Sequence, residues 1–223
     1  MIWAALSVIG TVILLSDISL DFIARSELNT GSEEAWTSSL SRSMLSCTRS
    51  FAFFKFGKID VLFANAGIMP GSSMSELKVQ DWMDMVDINI KGVLNSMAAV
   101  LPEFLAQKSG HVVVTSSIAG TKAVPGNAVY CGTKHFVRAM LDSFRTESVM
   151  ENTNIRTTTI YPGAIKTELL HTIAPSETKS MVEEFYKNVG LEAETIAEAV
   201  FYAISQPDNV AVSDLAVRPA KEG

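Results

Sequence analysis

The sequence predicts an α/β fold, a doubly wound parallel sheet in a single domain, and three observations support this. Apolar runs of strand length, as at residues 59–63, 111–117 and 155–161, alternate with segments of helical periodicity, as at 75–107 and 192–206. Strands that alternate with helices form a parallel sheet, and the helices connect neighbouring strands by right-handed crossovers. A chain of 223 residues suffices for one such domain with a sizeable core.

The strand predicted at residues 111–117 ends in hydroxyl side chains. It reads His-Val-Val-Val-Thr-Ser-Ser, a β-branched run that suits a buried strand of a parallel sheet. Ser117 therefore falls at the carboxyl end of a strand, where open α/β sheets bind ligands. Taken singly, Ser116 and Ser117 fit a turn or a helix cap at least as well.

The helical segment 75–107 precedes this strand. It carries Leu94, Met97, Ala98 and Leu101 on one predicted face, and Ser109-Gly110 ends it.

The next helix carries Tyr130 and Lys134, with Asn127 as its predicted N-terminal cap. Residues four apart lie one turn apart on the same helix face. A phenol titrates near ~10 in water, and a neighbouring cation lowers that pKa. The pair is thus a candidate proton donor and acceptor for a carbonyl/alcohol interconversion, although a solvated helix face would show the same spacing.

Five motifs occur in an order that resembles the short-chain dehydrogenase/reductase (SDR) family. They are Asn65-Ala66-Gly67 after the strand at 59–63, Asn89 in Asn-Ile-Lys-Gly, the set Ser117, Tyr130 and Lys134, the segment Tyr161-Pro162-Gly163 with Thr167, and a last strand region at 205–219. The resemblance covers residues 56–223 and implies a Rossmann-like fold. It also implies an NAD(P)-dependent oxidoreductase that transfers a hydride between nicotinamide and a carbonyl or carbinol carbon.

The resemblance implies a role for each matched residue. Tyr130 would exchange the proton, Ser117 would hydrogen-bond the substrate oxygen, and Lys134 would lower the Tyr130 pKa and hold the nicotinamide ribose. Asn89 would order a water that leads from Lys134 to solvent. The implied cofactor is NADP or NAD, with NADP favoured, and the residues that would contact it are Asn65, Ala66, Gly67, Tyr130, Lys134, Pro162, Gly163, Ile165 and Thr167.

The first part of the chain, residues 1–55, departs from the family pattern. The family opens with a Gly-rich turn that holds the pyrophosphate, whereas the glycines here are Gly10 and Gly31, and neither belongs to such a cluster. Residues 32–50, rich in Ser and Arg, resemble foreign sequence joined to the family body. We therefore expect weaker binding of NAD(P)H than in a family member with an intact turn.

The apolar start, residues 1–15, has two interpretations. It lacks a positive n-region and is shorter than the ~20 residues that span a bilayer, so a buried first strand is favoured over a membrane anchor. The segment 167–190 mixes apolar and polar residues and suits a lid over an apolar pocket, or two short surface helices.

Composition excludes several functions. A net charge of −6 without a basic block argues against nucleic acid as a partner. Cys47 and Cys131 form no metal spacing, and the three histidines (His111, His135 and His171) occur singly, so no metal site is predicted.

Three functions remain open from the sequence. The favoured one is a cytoplasmic homodimeric or homotetrameric reductase of a small carbonyl or alcohol. Because the pyrophosphate turn is missing, a catalytically silent, oligomeric binding or scaffold protein is the main alternative. A membrane-tethered reductase is the third.

Overall fold

The computed structural model describes residues 11–14, 58–167, 169–170 and 177–222. Its strands are β1 (Thr11–Leu14), β2 (Val61–Ala64), β3 (Gly110–Thr115), β4 (Ile155–Pro162), β5 (Ile165–Lys166), β6 (Leu191–Glu192) and β7 (Asp214–Val217). Its α-helices are α1 (Val79–Val86), α2 (Gly92–Gln107), α3 (Ala128–Met150), α4 (Glu177–Val189) and α5 (Ala193–Ile204). A wide π-helical turn, Asp87–Lys91, joins α1 to α2, and 3₁₀ turns occupy Met74–Glu76 and Ile118–Gly120.

The main sheet has the strand order β1-β2-β3-β4-β7. Strands β2, β3, β4 and β7 are parallel, which confirms the predicted class, while β1 pairs antiparallel with β2. Part of the apolar run 1–15 thus forms a strand as expected, but this strand runs opposite to its neighbours. The rest of the predicted atypical segment lies outside the described residues.

The sheet is covered on both faces, because successive side chains of a strand point to opposite sides. Leu62 and Val112 belong to the core beneath α2 and α3. Phe63 and Val113, each one residue further along, pack on the other face with Val200 of α5. This alternation makes the sheet doubly wound and leaves the carboxyl ends of β2, β3 and β4 together at one edge.

The buried face of α2 matches the predicted apolar face only in part, since Met97 is buried and Leu101 packs against the core. The residues that α2 turns into the core are Val93, Met97, Val100 and Phe104, whereas Leu94 and Ala98 are exposed. The helix is apolar on more than one side, so its sequence periodicity could not select which side meets the sheet.

A buried histidine lies within strand β3. His111 is 1% exposed, and its Nε2 is 2.7 Å from Thr158 Oγ1. Because Thr158 donates its hydroxyl proton to Val212 O at 2.6 Å, Oγ1 accepts from His111, whose proton is therefore on Nε2. Within the described part of the chain, Nδ1 has no partner. Burial, followed by the charge of Arg156, lowers the His111 pKa to about 3.

We expect His111 to make the fold acid-sensitive. Its pKa is about 6.5 in the unfolded chain and about 3 in the fold, so the unfolded state binds more protons below pH 6.5. Stability is therefore present above pH 6.5 and is lost as the pH falls, by about 2 kcal/mol between pH 7 and pH 5. Urea unfolding at both pH values measures this loss, and the same pair of measurements on His111→Gln, which does not titrate, should show a smaller one. An equal loss in the two proteins would contradict the assignment.

Candidate active site

A cavity of about 400 Å³ opens at the edge where β2, β3 and β4 end. Ten of the predicted site residues line it: Asn65, Ala66, Gly67, Ser117, Tyr130, Lys134, Pro162, Gly163, Ile165 and Thr167. They come from four separate stretches of chain, which parallel strands bring to one edge. Asn89, the remaining predicted residue, lies outside this lining.

Tyr130 and Ser117 meet in this cavity. Tyr130 follows the start of α3 and is buried, with 5% of its surface exposed. Ser117 comes two residues after β3 ends, and hydrogen bonding by its hydroxyl acts to lower the pKa of the Tyr130 phenol. The same hydroxyl accepts from Ala119 N at 3.1 Å and so also caps the 3₁₀ turn. From the sequence, a helix cap and a role in the active site were alternatives for Ser117. The structure shows that the same hydroxyl oxygen caps the turn and faces Tyr130.

Lys134 is held by the end of β3. Its Nζ donates to Thr115 O at 2.9 Å and lies 5.7 Å from the centre of the Tyr130 ring. Thr115 Oγ1 in turn donates to Asn65 Oδ1 at 2.7 Å. Sequence reasoning missed Thr115, which joins two predicted residues. Its place as the last residue of a strand was the available signal.

The Tyr130 pKa differs from the sequence expectation. Burial raises it above the usual value near ~10, and the hydrogen bond from Ser117 only partly offsets this. Lys134 is itself affected, because burial lowers its pKa to about 8. The net shift of the Tyr130 pKa is therefore opposite to the predicted lowering by Lys134, because burial outweighs it. The ammonium is engaged by a carbonyl, and the loss of water around the phenol dominates.

Asn89 lies in the π turn and holds the Asn65-Ala66-Gly67 turn in place through the backbone of the next residue, Ile68. It accepts from Ile68 N at 2.9 Å and donates to Ile68 O at 3.0 Å and to Thr133 Oγ1 at 3.1 Å. A Cβ on Gly67 would lie 3.3 Å from Asn89 Oδ1 and 3.4 Å from Lys134 Nζ. Glycine at position 67 thus lets the turn pass close to Lys134.

The start of α3 is fixed by packing and not by a side-chain cap. Asn127 holds the N-cap position, but its side chain makes no capping hydrogen bond, so that prediction is wrong. Instead, Ser116 Oγ donates to Lys134 O at 3.0 Å, and a Cβ on Gly120 would lie 2.8 Å from the same oxygen. The turn after β3 therefore packs directly on the helix backbone.

Two residues that the motifs did not assign lie in or next to the cavity lining. Tyr186 of α4 lines it together with Leu169. Glu222 accepts from Ala164 N at 3.0 Å, beside Gly163. Part of the predicted lid is thus over the cavity, while His171 and Ile173 lie outside the described residues, as does Cys47.

The described ranges hold no group of His, Cys, Asp or Glu that would suit a metal ion. In the same ranges no helix is both long and apolar enough to cross a bilayer.

A family model described as short chain dehydrogenase matches residues 31–178. The match begins upstream of residue 56, where the resemblance of individual motifs begins. An uncharacterized oxidoreductase of Listeria monocytogenes is 54% identical over 171 residues, which make up 77% of this chain and 69% of that protein.

Two solved structures are similar in fold. The closed form of a serine dehydrogenase complexed with NADP⁺ has a TM-score of 0.72 at 30% identity and covers 79% of this chain and 71% of its own. A short chain dehydrogenase/reductase from Burkholderia phymatum in complex with NAD has a TM-score of 0.71 at 20% identity. The match covers 79% of this chain and 67% of that chain, and at this identity the similarity supports the fold alone.

Proposed function

This chain belongs to the short-chain dehydrogenase family of oxidoreductases, and we propose that it interconverts a carbonyl and an alcohol by hydride exchange with NADP or NAD. The observation that carries the proposal is the meeting of Ser117, Tyr130 and Lys134 in one cavity at the carboxyl edge of the sheet. The proposed substrate is a small molecule.

The cavity suits a nicotinamide cofactor in its donor set and its glycines. Gly67 leaves Lys134 reachable from the Asn65 side, and Pro162, Gly163, Ile165 and Thr167 line the same cavity. Lys134, Asn65 and Thr167 would hold such a group by hydrogen bonds. Bound there, NADP or NAD would supply or take up the hydride at the substrate carbon. The NADP⁺ complex of the serine dehydrogenase supports a nicotinamide cofactor without deciding between NADP and NAD.

The protein residues would handle the proton. Ser117 binds the substrate oxygen and holds it against the Tyr130 hydroxyl, and Tyr130 gives its proton to that oxygen as the carbonyl becomes an alcohol. Lys134, as an ammonium 5.7 Å from the phenol ring, stabilises the phenolate that forms. Asn89 acts on this set by holding the turn beside Lys134.

The raised Tyr130 pKa favours reduction over oxidation at neutral pH. At neutral pH the phenol carries its proton, which is the form that reduction needs, whereas oxidation needs the phenolate. Lys134 loses its charge as the pH rises through about 8. Reduction should therefore weaken above that pH, because the phenolate loses its cation.

The experiment that tests the proposal is a hydride-transfer assay preceded by cofactor titration. NADPH and NADH are titrated by nicotinamide fluorescence, and oxidation of each is then followed with 2,3-butanedione at pH 6 to 9. Binding with turnover that declines above pH 8 is expected. Absence of binding for both dinucleotides would overturn the proposal and favour the silent oligomeric protein that the sequence left as an alternative.

We also propose a homodimer or homotetramer, as the sequence predicted. Helix α2 exposes 42% of Leu94 and 47% of Leu105, and α3 exposes 36% of Phe136. These apolar side chains lie outside the core, and a second copy of the chain would cover them.

Light scattering at micromolar concentration should therefore give a dimer or tetramer mass. The double variant Leu94→Glu, Leu105→Glu should shift the mass towards the monomer, because charges would be buried in the contact. Val210→Glu, an exposed apolar position outside both helices, is the control. A monomeric wild-type protein would remove this proposal.

A further inference from the structure

A second phenol lies in the cavity with Tyr130. Tyr186 projects from α4 and lines the cavity, and its phenol is close enough to Tyr130 to contribute to the raised pKa of that residue. Its neighbour Phe185 is 43% exposed and is not part of the lining. Helix α4 therefore turns one aromatic side chain into the cavity and the adjacent one towards solvent.

A carboxylate from the C-terminal segment acts electrostatically on Tyr186. Glu222 lies five residues beyond the end of β7, and its Oε2 accepts from Ala164 N at 3.0 Å. A Cβ at Gly163 would overlap this carboxylate, so glycine gives it access to the turn. Burial, and then the charge of Glu222, raises the pKa of Tyr186. Tyr186 consequently remains a hydrogen-bond donor through the neutral and mildly alkaline range.

The charge of the cavity restricts what can bind beside Tyr186. Among the lining residues that the structure describes, Lys134 is the one with a formal positive charge, and Thr115 O already accepts from it. Met69 and Leu169 add apolar surface to the same lining. A substrate carboxylate beside Tyr186 would thus find no cation other than Lys134 among the described lining residues and would be disfavoured by the charge of Glu222, whereas a neutral oxygen would find a donor.

We propose that Tyr186 is a substrate-binding residue that donates a hydrogen bond to a second, neutral oxygen of the substrate, away from the reacting carbon. The negative charge of Glu222, held by Ala164 N, would disfavour an anionic group at the same place. The substrate class is then a neutral carbonyl compound with a further oxygen function, such as a hydroxyketone or diketone, and not a keto acid. This inference rests on the proposed reductase function and adds the substrate class to it.

Three probes of similar size separate the effect of a second neutral oxygen from that of a carboxylate. 2,3-Butanedione has a second neutral oxygen, 2-butanone lacks it, and pyruvate carries a carboxylate. The wild-type enzyme should have the highest kcat/KM for butanedione. Tyr186→Phe should raise the KM for butanedione about tenfold, as expected for one lost hydrogen bond. Its kcat, its KM for 2-butanone and its NADPH affinity should stay near wild type.

Two further variants test the role of Glu222 and the position of Tyr186. Glu222→Gln removes the charge and should improve kcat/KM for pyruvate relative to butanedione. Phe185→Leu, on the solvent side of α4, should leave all three probes unchanged. Thermal unfolding midpoints matched to wild type would show that the Tyr186 and Glu222 variants are folded.

The outcomes distinguish the two proposals. Wild-type protein that binds neither NADPH nor NADH removes the reductase function and the substrate class with it, whereas wild type that binds a dinucleotide but reduces none of the probes removes the substrate class alone. Active wild type with equal losses for butanedione and 2-butanone in Tyr186→Phe, or with no loss for either, removes the role of Tyr186 alone. A preference for pyruvate in wild type removes the neutral substrate class.

Discussion

Replacing Tyr130 by phenylalanine is expected to lower kcat for carbonyl reduction by about three orders of magnitude, within the range for losing a general acid. The substitution deletes the proton donor and keeps the ring, which is 95% buried and packs with Met85, Ala119 and Cys131. The fold should therefore survive, and NADPH titration should give an affinity close to that of the wild type. Steady-state oxidation of NADPH with butanedione measures the effect.

A matched control is available in Tyr161, a buried tyrosine of strand β4. Tyr161 donates to Asp214 Oδ1 at 2.8 Å and does not line the cavity. Tyr161→Phe also removes one buried hydroxyl but leaves the proposed proton donor in place, so it should retain turnover. Comparable activity in the two variants would assign the proton transfer to another group.

Adding one methyl group at Gly120 is expected to disturb both stability and catalysis. The new Cβ would lie 2.5 Å from Ser116 Oγ and 2.8 Å from Lys134 O, so either the 3₁₀ turn or α3 must move. Overpacking of this kind costs about 1–3 kcal/mol. Because Ser117 and Lys134 lie on the two sides of this contact, a shift near 1 Å would lower kcat by up to about 100-fold.

The control for Gly120→Ala lies on the same helix. A Cβ on Gly132 meets nothing within 4 Å, and alanine in a helix interior is favoured over glycine by about 0.5–1 kcal/mol. Gly132→Ala should thus raise the free energy of unfolding, measured in urea, and leave turnover unchanged. A Gly120→Ala protein as stable and as active as wild type would contradict this prediction, because Ser116 and the α3 backbone would then accommodate the methyl group without loss of stability.

The sequence predicted the sheet and most of the site because both depend on local patterns. The apolar runs around Phe63, Val113 and Ile160 are short and β-branched or aromatic, and strand–helix alternation allows few topologies. Once those strands are parallel, the residues that follow them share one edge, which is why Asn65, Ser117 and Gly163 meet.

Other features depend on the environment in three dimensions. The raised Tyr130 pKa results from burial, which spacing along a helix does not reveal. The roles of Thr115 and Glu222 need strand ends and a C-terminal segment to be placed in space. The antiparallel orientation of β1 could not be predicted either, because the sequence of an apolar strand does not indicate in which direction it will run in a sheet.

The π turn has a consequence for insertions and deletions. Met85, Asn89, Val93 and Met97 are all buried, yet residues spaced by four drift about 40° per step around an ideal α-helix. The wide turn Asp87–Lys91 takes up part of that rotation and keeps the four side chains in phase. Deleting a single residue such as Ile88 would restore a regular helix and rotate Asn89 away from the turn it clamps. A conservative substitution at Ile88 would leave the phase intact, so length counts for more than side-chain identity at this position.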